Sequence, residues 1–129
     1  MKKNTELGGL FIRIVLGFIF FVHGLAKFQG GIEHTAGFFD SIGIPGFLAY
    51  PVAAIEAGGG ILLMFGIGTR IVAALFGLIM LGAIFTAKLG SEFIGGYELD
   101  AALLAMSAFL VLSGSRFLTA EQLIFKNKD

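Results

Sequence analysis

Among the ionisable side chains in or at the ends of otherwise apolar stretches of this 129-residue chain are Arg13, His23, Lys27, Glu56, Lys88 and Asp100. Imidazole, ammonium and carboxylate groups make hydrogen bonds and pass protons, and a guanidinium holds anions. His23 and Lys27 stand four residues apart, one turn of a helix. A charged group near a bilayer centre costs about 3 kcal/mol on insertion scales, so it turns inward and finds a partner. Charges gathered at one level would therefore bind a polar head group or handle its protons.

The elements that must position these groups follow from hydropathy. The chain is 57% hydrophobic and 14% charged, with mean hydropathy +0.92, far from the balance of a water-soluble domain. Four apolar stretches, at about 7–28, 50–68, 71–87 and 97–117, match the roughly 20 residues a helix needs to cross a hydrocarbon core. They are continuous rather than alternating, which argues against a transmembrane barrel. The expected fold is an all-α integral membrane protein, a four-transmembrane-helix bundle forming one domain over residues 1–129. The first stretch is long, carries Arg13 and has no small-residue cleavage pattern after it, so it reads as a retained helix rather than a signal peptide.

Cytoplasmic segments are enriched in Lys and Arg. With both termini inside, Lys2, Lys3, Arg70, Arg116, Lys126 and Lys128 fall on the cytoplasmic side, and Lys27 and Lys88 at the outer helix ends. The first external connection carries Ile32, Ala36 and Phe39 at helical spacing, flanked by Phe38 and Ile42 and set beside Glu33, His34 and Asp40. It reads as a short interfacial helix lying on the membrane surface, a lid over the bundle or simply a surface loop. Glycine is abundant, at 20 residues. Gly17 with Gly24, Gly59 with Gly60, Ala73 with Gly77 and Ala101 with Ala105 mark faces where helices approach closely.

Depth brings the charges together. His23 and Glu56 each lie about five residues below the outer boundary, roughly 8 Å deep, while Lys27, Lys88 and Asp100 fall within about a turn of it. At 100° per residue Arg13, Gly17, Phe20, Gly24 and Lys27 form one stripe, with His23 at its edge. Simpler roles exist for each: Lys27 and Lys88 as snorkelling anchors, Asp100 as the start of the fourth helix, Arg13 as a structural bridge to Glu56. The centre of the expected site is His23 and Glu56.

Other classes fall away. The formal net charge is zero without a dense basic block, which gives nucleic acid nothing to bind. The absence of cysteine removes thiolate metal sites and dithiol redox chemistry, and no metal site is expected.

The run Arg13-Ile14-Val15-Leu16-Gly17, followed by Phe20-Phe21-Val22-His23-Gly24-Leu25-Ala26-Lys27-Phe28, resembles the first-helix signature of the DoxX family. So do Phe38-Phe39 with Gly43-Ile44-Pro45, the Glu56-Ala57-Gly58-Gly59-Gly60 segment and the Gly68-Thr69-Arg70 turn. The resemblance implies a multi-pass protein of the bacterial cell membrane, in a family named for a subunit of an archaeal thiosulfate:quinone oxidoreductase and associated with redox stress.

It further implies a quinone of menaquinone type as a non-covalent ligand. His23 and Lys27 would donate to the carbonyl oxygens and Glu56 would pass protons, making His23 and Glu56 the catalytic pair. Arg13, Lys27, Lys88 and Asp100 would contribute to binding, with Phe20 and Phe28 lining the slot. Two histidines and no nucleotide-binding motif leave the chain without an electron donor, so a soluble or membrane redox partner would supply electrons. The lipid bilayer is the remaining partner, together with a second copy of the chain in a homo-oligomer. The same cavity would equally serve a carrier or exporter of a small molecule, and a third reading is a scaffold for a soluble redox enzyme.

Overall fold

The structure, a computed structural model, describes residues 2–88, 94, 98–115 and 119–120, the side chains of Lys2, Ala87 and Lys88 excepted. Among the described residues five α-helices run in order: α1 Lys2–Gln29, α2 Ile32–Ser41, α3 Ala49–Phe65, α4 Thr69–Ala83 and α5 Glu98–Ser113. A 3₁₀ turn, Gly46–Leu48, leads into α3, and α4 continues into a single π-helical stretch, Ile84–Lys88. Among the described residues there is no strand.

Among the described residues three segments are long and apolar enough to cross a membrane: Lys3–Gln29, Gly46–Phe65 and Thr69–Thr86. The described part of α5 has 16 residues, about 24 Å of rise, short of a hydrocarbon core of roughly 30 Å. Tyr97, Arg116 and Phe117, at the edges of the expected fourth stretch, lie outside the described residues, as do Lys126 and Lys128. The first helix starts earlier than hydropathy alone marks it, because polar residues from Lys2 to Glu6 extend α1 by more than a turn.

The tight connection between α3 and α4 has a local cause. Gly66 and Gly68 both take left-handed backbone conformations, φ 75° and 60°, which glycine adopts without a Cβ clash. The Ile67 N–H reaches back to Leu62 O at 2.8 Å, closing the end of α3 as a glycine-terminated helix does.

The main seam joins α1 to α3, which run antiparallel: Gly17 meets Gly60 and Met64, while Gly24 meets Ala53 and Ala57. A Cβ on Gly60 would sit 2.5 Å from Gly17 O and 2.6 Å from Phe21 N, so the two backbones touch. Small residues at such crossings let helices pack where lipid offers no hydrophobic drive. The second seam joins α4 to α5 past Gly77, which faces Ser107 and Leu104. Leu16, Phe20, Leu63, Val72, Ala73, Phe76, Met80, Leu103 and Leu110 form the common core.

The outer surface is equally apolar. Phe11, Phe18, Phe65, Ile71, Leu78 and Leu112 are all exposed, an apolar coat suited to acyl chains rather than water. Helix α2 buries none of its residues and rests on the 3₁₀ turn, α3 and α1. Asp40 Oδ1 accepts from the Gly46 N–H at 2.8 Å and ties the end of α2 to the start of the α3 segment.

Candidate functional site

Because α1 and α3 are antiparallel, the last turn of α1 lies beside the upper half of α3, and this brings Lys27 to Glu56. Lys27 Nζ donates to Glu56 Oε1 at 2.5 Å across the seam. The carboxylate side chain is only 4% exposed and the ammonium 26%. Glu56 sits on the face of α3 that also buries Ala53, Gly59 and Gly60, where small neighbours leave room for it.

The pair looks onto a cavity of about 960 Å³ to which all five helices contribute. Phe20 lines the chamber and is stacked from behind by the fully buried Phe76, with ring centroids 3.8 Å apart and planes 16° from parallel. Phe76 can lie so close to α3 because Gly59 has no side chain: a Cβ there would come within 2.9 Å of its ring. Ile55, Ile79, Met80 and Leu103 extend the apolar wall. The polar groups in the lining are His23 and Lys27 from α1, His34 and Thr35 from α2, Glu56 from α3, Thr86 from the π-helical stretch, and Glu98 and Asp100 from α5.

Of the residues expected from sequence, Phe20, His23, Lys27, Glu56 and Asp100 therefore meet in one chamber. Phe28 is 45% exposed and lies outside the lining. The side chain of Lys88 lies outside the described residues. Sequence reasoning passed over His34, Phe76 and Glu98. The signal for His34 was present, since 34, 35, 38, 39 and 42 share a helical face and all line the cavity.

Arg13 belongs elsewhere. It lies fourteen residues before Lys27 on α1, about 21 Å along the helix. Only 1% exposed, it donates from Nη1 to Ser115 Oγ at 3.3 Å, just beyond the end of α5. The bridge from Arg13 to Glu56 is not formed, because Lys27 sits level with the carboxylate and Arg13 does not. Among the described residues no group of three His, Cys, Asp or Glu side chains could hold a metal ion.

Residues 8–89 match the DoxX family. The chain belongs to that family. The matched region carries His23, Lys27, Glu56 and the whole of α2, and stops before α5 and Asp100. This DoxX chain is 53% identical over 128 residues to "Putative oxidoreductase CatD" of Bacillus subtilis, covering 99% of the chain and 95% of that protein. It is 36% identical over 73 residues to "Inner membrane protein YqjF" of Escherichia coli, covering 57% of the chain and 55% of the relative. No solved structure matches. With its apolar helices, this DoxX protein is a bacterial membrane protein whose outer surface contacts lipid.

Chemically, the DoxX cavity offers a flat aromatic base, an ammonium donor, two imidazoles and carboxylates at different exposures. Such a set can hold a planar ring, donate hydrogen bonds to its oxygens and exchange protons with it.

Proposed function

We propose that this DoxX protein binds a quinone head group and serves as the quinone-interacting membrane subunit of an oxidoreductase system. The observation that carries the reading is the joining of the Lys27–Glu56 pair, its carboxylate buried, to an apolar chamber lined by Phe20, which Phe76 stacks against from behind. A quinone needs apolar space for its ring, donors for its carbonyl oxygens and a route for protons. Lys27 and His23 supply donors. Glu56, held by Lys27, and Asp100 supply carboxylates for proton exchange.

Reduction of a quinone to a quinol takes two electrons and two protons. The protons fall to the cavity's own groups. The electrons come from a redox partner, since this chain carries no cysteine and no metal-binding cluster among its described residues. The name of the Bacillus subtilis relative, an oxidoreductase, supports a redox setting. In the membrane, we place α1, the α3 segment and α4 as spans and α5 with its flanking residues as a fourth. The chain forms a single membrane domain with both termini in the cytoplasm and α2 at the outer surface.

Titration of the purified protein with a naphthoquinone tests the reading. Saturable binding is expected in wild type and loss of it in His23→Ala and Glu56→Gln. Equal binding by both variants would sink the site. Quinone-independent transport into proteoliposomes would instead favour a small-molecule carrier, and a stable partner complex indifferent to quinone would favour a scaffold.

A further inference from the structure

The cavity has two unlike sides. Its charged pair sits on the α1–α3 side, and facing it are Leu75, Leu78 and Gly82 of α4 together with Phe38 of α2. These four line the chamber and are also exposed, Leu78 by 65%, Phe38 by 51% and Leu75 by 38%, as are Leu99 at the start of α5, by 45%, and Leu48 of the 3₁₀ turn, by 36%. A side chain that both lines a chamber and is that exposed stands at its mouth. Helix α2 is seated on the 3₁₀ turn, α3 and α1, with no comparable seam against α4 among the described residues. The mouth therefore opens between α2 and α4 and is rimmed by the start of α5.

Its depth decides what it opens onto. Leu78 is nine residues into α4, about 13.5 Å of rise, near the middle of a hydrocarbon core of roughly 30 Å. The Thr69–Thr86 segment that carries the mouth is itself apolar enough to cross a membrane. An opening there faces acyl chains and not water. The chamber is also large: about 960 Å³ stands at the top of the roughly 300–1,000 Å³ that encloses a drug-sized ligand.

We infer that the ligand is a quinone bearing an isoprenoid or alkyl tail, admitted sideways from the bilayer between α2 and α4. Its head group reaches the Lys27–Glu56 pair, and its tail lies along Leu75, Leu78 and Phe38 and runs out into lipid. This rests on the quinone reading above and adds where the tail lies and the route by which it enters. A tailed quinone dissolved in the bilayer meets the mouth without leaving apolar surroundings, so its hydrophobic anchoring is kept throughout.

Gly82 provides the test. It is exposed at the mouth, and a Cβ built on it meets nothing within 4 Å, so a larger side chain narrows the opening without disturbing the packing. Gly58 on α3 is the control, likewise exposed and open but outside the cavity lining. Wild type, Gly82→Phe, Gly82→Leu and Gly58→Phe, each in lipid nanodiscs, are titrated with 2-methyl-1,4-naphthoquinone and with the same head carrying a geranylgeranyl tail. Bound ligand is read by native mass spectrometry. The tailed compound should bind wild type, and Gly82→Phe should weaken it by about tenfold, the scale of losing one or two methylene contacts. Gly82→Leu should give an intermediate loss. Binding of the tailless head should stay within about twofold in every variant, which also shows that the variants are folded. Gly58→Phe should change neither ligand.

If Gly82→Phe leaves the tailed compound unaffected, or weakens head and tailed ligand alike, the lateral route is wrong while the quinone site stands. Head binding without tailed binding in wild type overturns the route in the same way. If wild type binds neither compound, the quinone reading and this inference fall together.

Discussion

Two basic side chains of α1 turn into this bundle, Arg13 in its first half and Lys27 in its last turn, and their surroundings differ. Lys27 faces a chamber of about 960 Å³ and is 26% exposed toward it, with Glu56 as its counter-charge on the neighbouring helix. Arg13 is sealed at 1% exposure and bonds Ser115, more than a hundred residues away in sequence. A hollow of about 230 Å³ opens beside Ser115, but Arg13 is not part of its wall. Both placements satisfy the rule that a charge in an apolar helix turns inward. Only the first leaves the charge where a ligand can reach it. A buried ionisable residue in a membrane helix is thus a candidate site only when a cavity meets it, and otherwise works as a staple between elements.

The largest effect should come from breaking the pair at the cavity. Lys27→Met leaves the Glu56 carboxylate, 4% exposed, without its cation, and removal of one member of a buried pair costs about 3–5 kcal/mol. Adding Glu56→Leu removes the stranded charge and should restore most of that loss in equilibrium unfolding in mixed micelles. Quinone binding should be absent from both variants. Wild-type stability in Lys27→Met alone would mean that the two ends of α1 do not differ in the way described.

At the other end, Arg13→Met should lower stability by about 1–3 kcal/mol, the range for a charged donor's hydrogen bond to a buried partner. Because Lys27 is about 21 Å away along the helix and Arg13 lies outside the cavity lining, quinone affinity should stay within about twofold, as independent sites do. An affinity loss as deep as that of His23→Ala would place Arg13 in the ligand site and remove the contrast.

Much of this contrast could be read from the sequence. Hydropathy located the long helices, and the spacing of Arg13, Gly17, Phe20 and Gly24 marked the face of α1 that the structure buries. The glycine pair Gly66 and Gly68 marked the turn. The partner of Glu56 could not be read, because a depth count is good to about a turn and a lysine side chain spans that distance. Phe28 was expected in the slot, yet it follows Lys27 by one residue, a rotation of about 100° that is enough to turn it outward. Phe76 and His34 join the site through the register between helices, which no single helix's periodicity contains.

The smallest effect concerns how firmly α2 covers the cavity. No residue of α2 is buried, so its position depends on its ends. At the α3 side, Asp40 Oδ1 accepts from the buried Gly46 N–H at 2.8 Å, and the Ile44 N–H reaches Phe39 O at 2.9 Å. Asp40→Ala removes the first tie and keeps the second, so α2 should loosen without detaching. Loss of one net hydrogen bond corresponds to about fivefold faster opening, read as hydrogen exchange of α2 amides. Amides around Arg13 should exchange as in wild type, since nothing at that end depends on Asp40. Faster exchange at both ends would show that Asp40 supports the bundle as a whole, whereas acceleration confined to residues 32–48 would show that the cover over the Lys27–Glu56 pair moves independently of the sealed end.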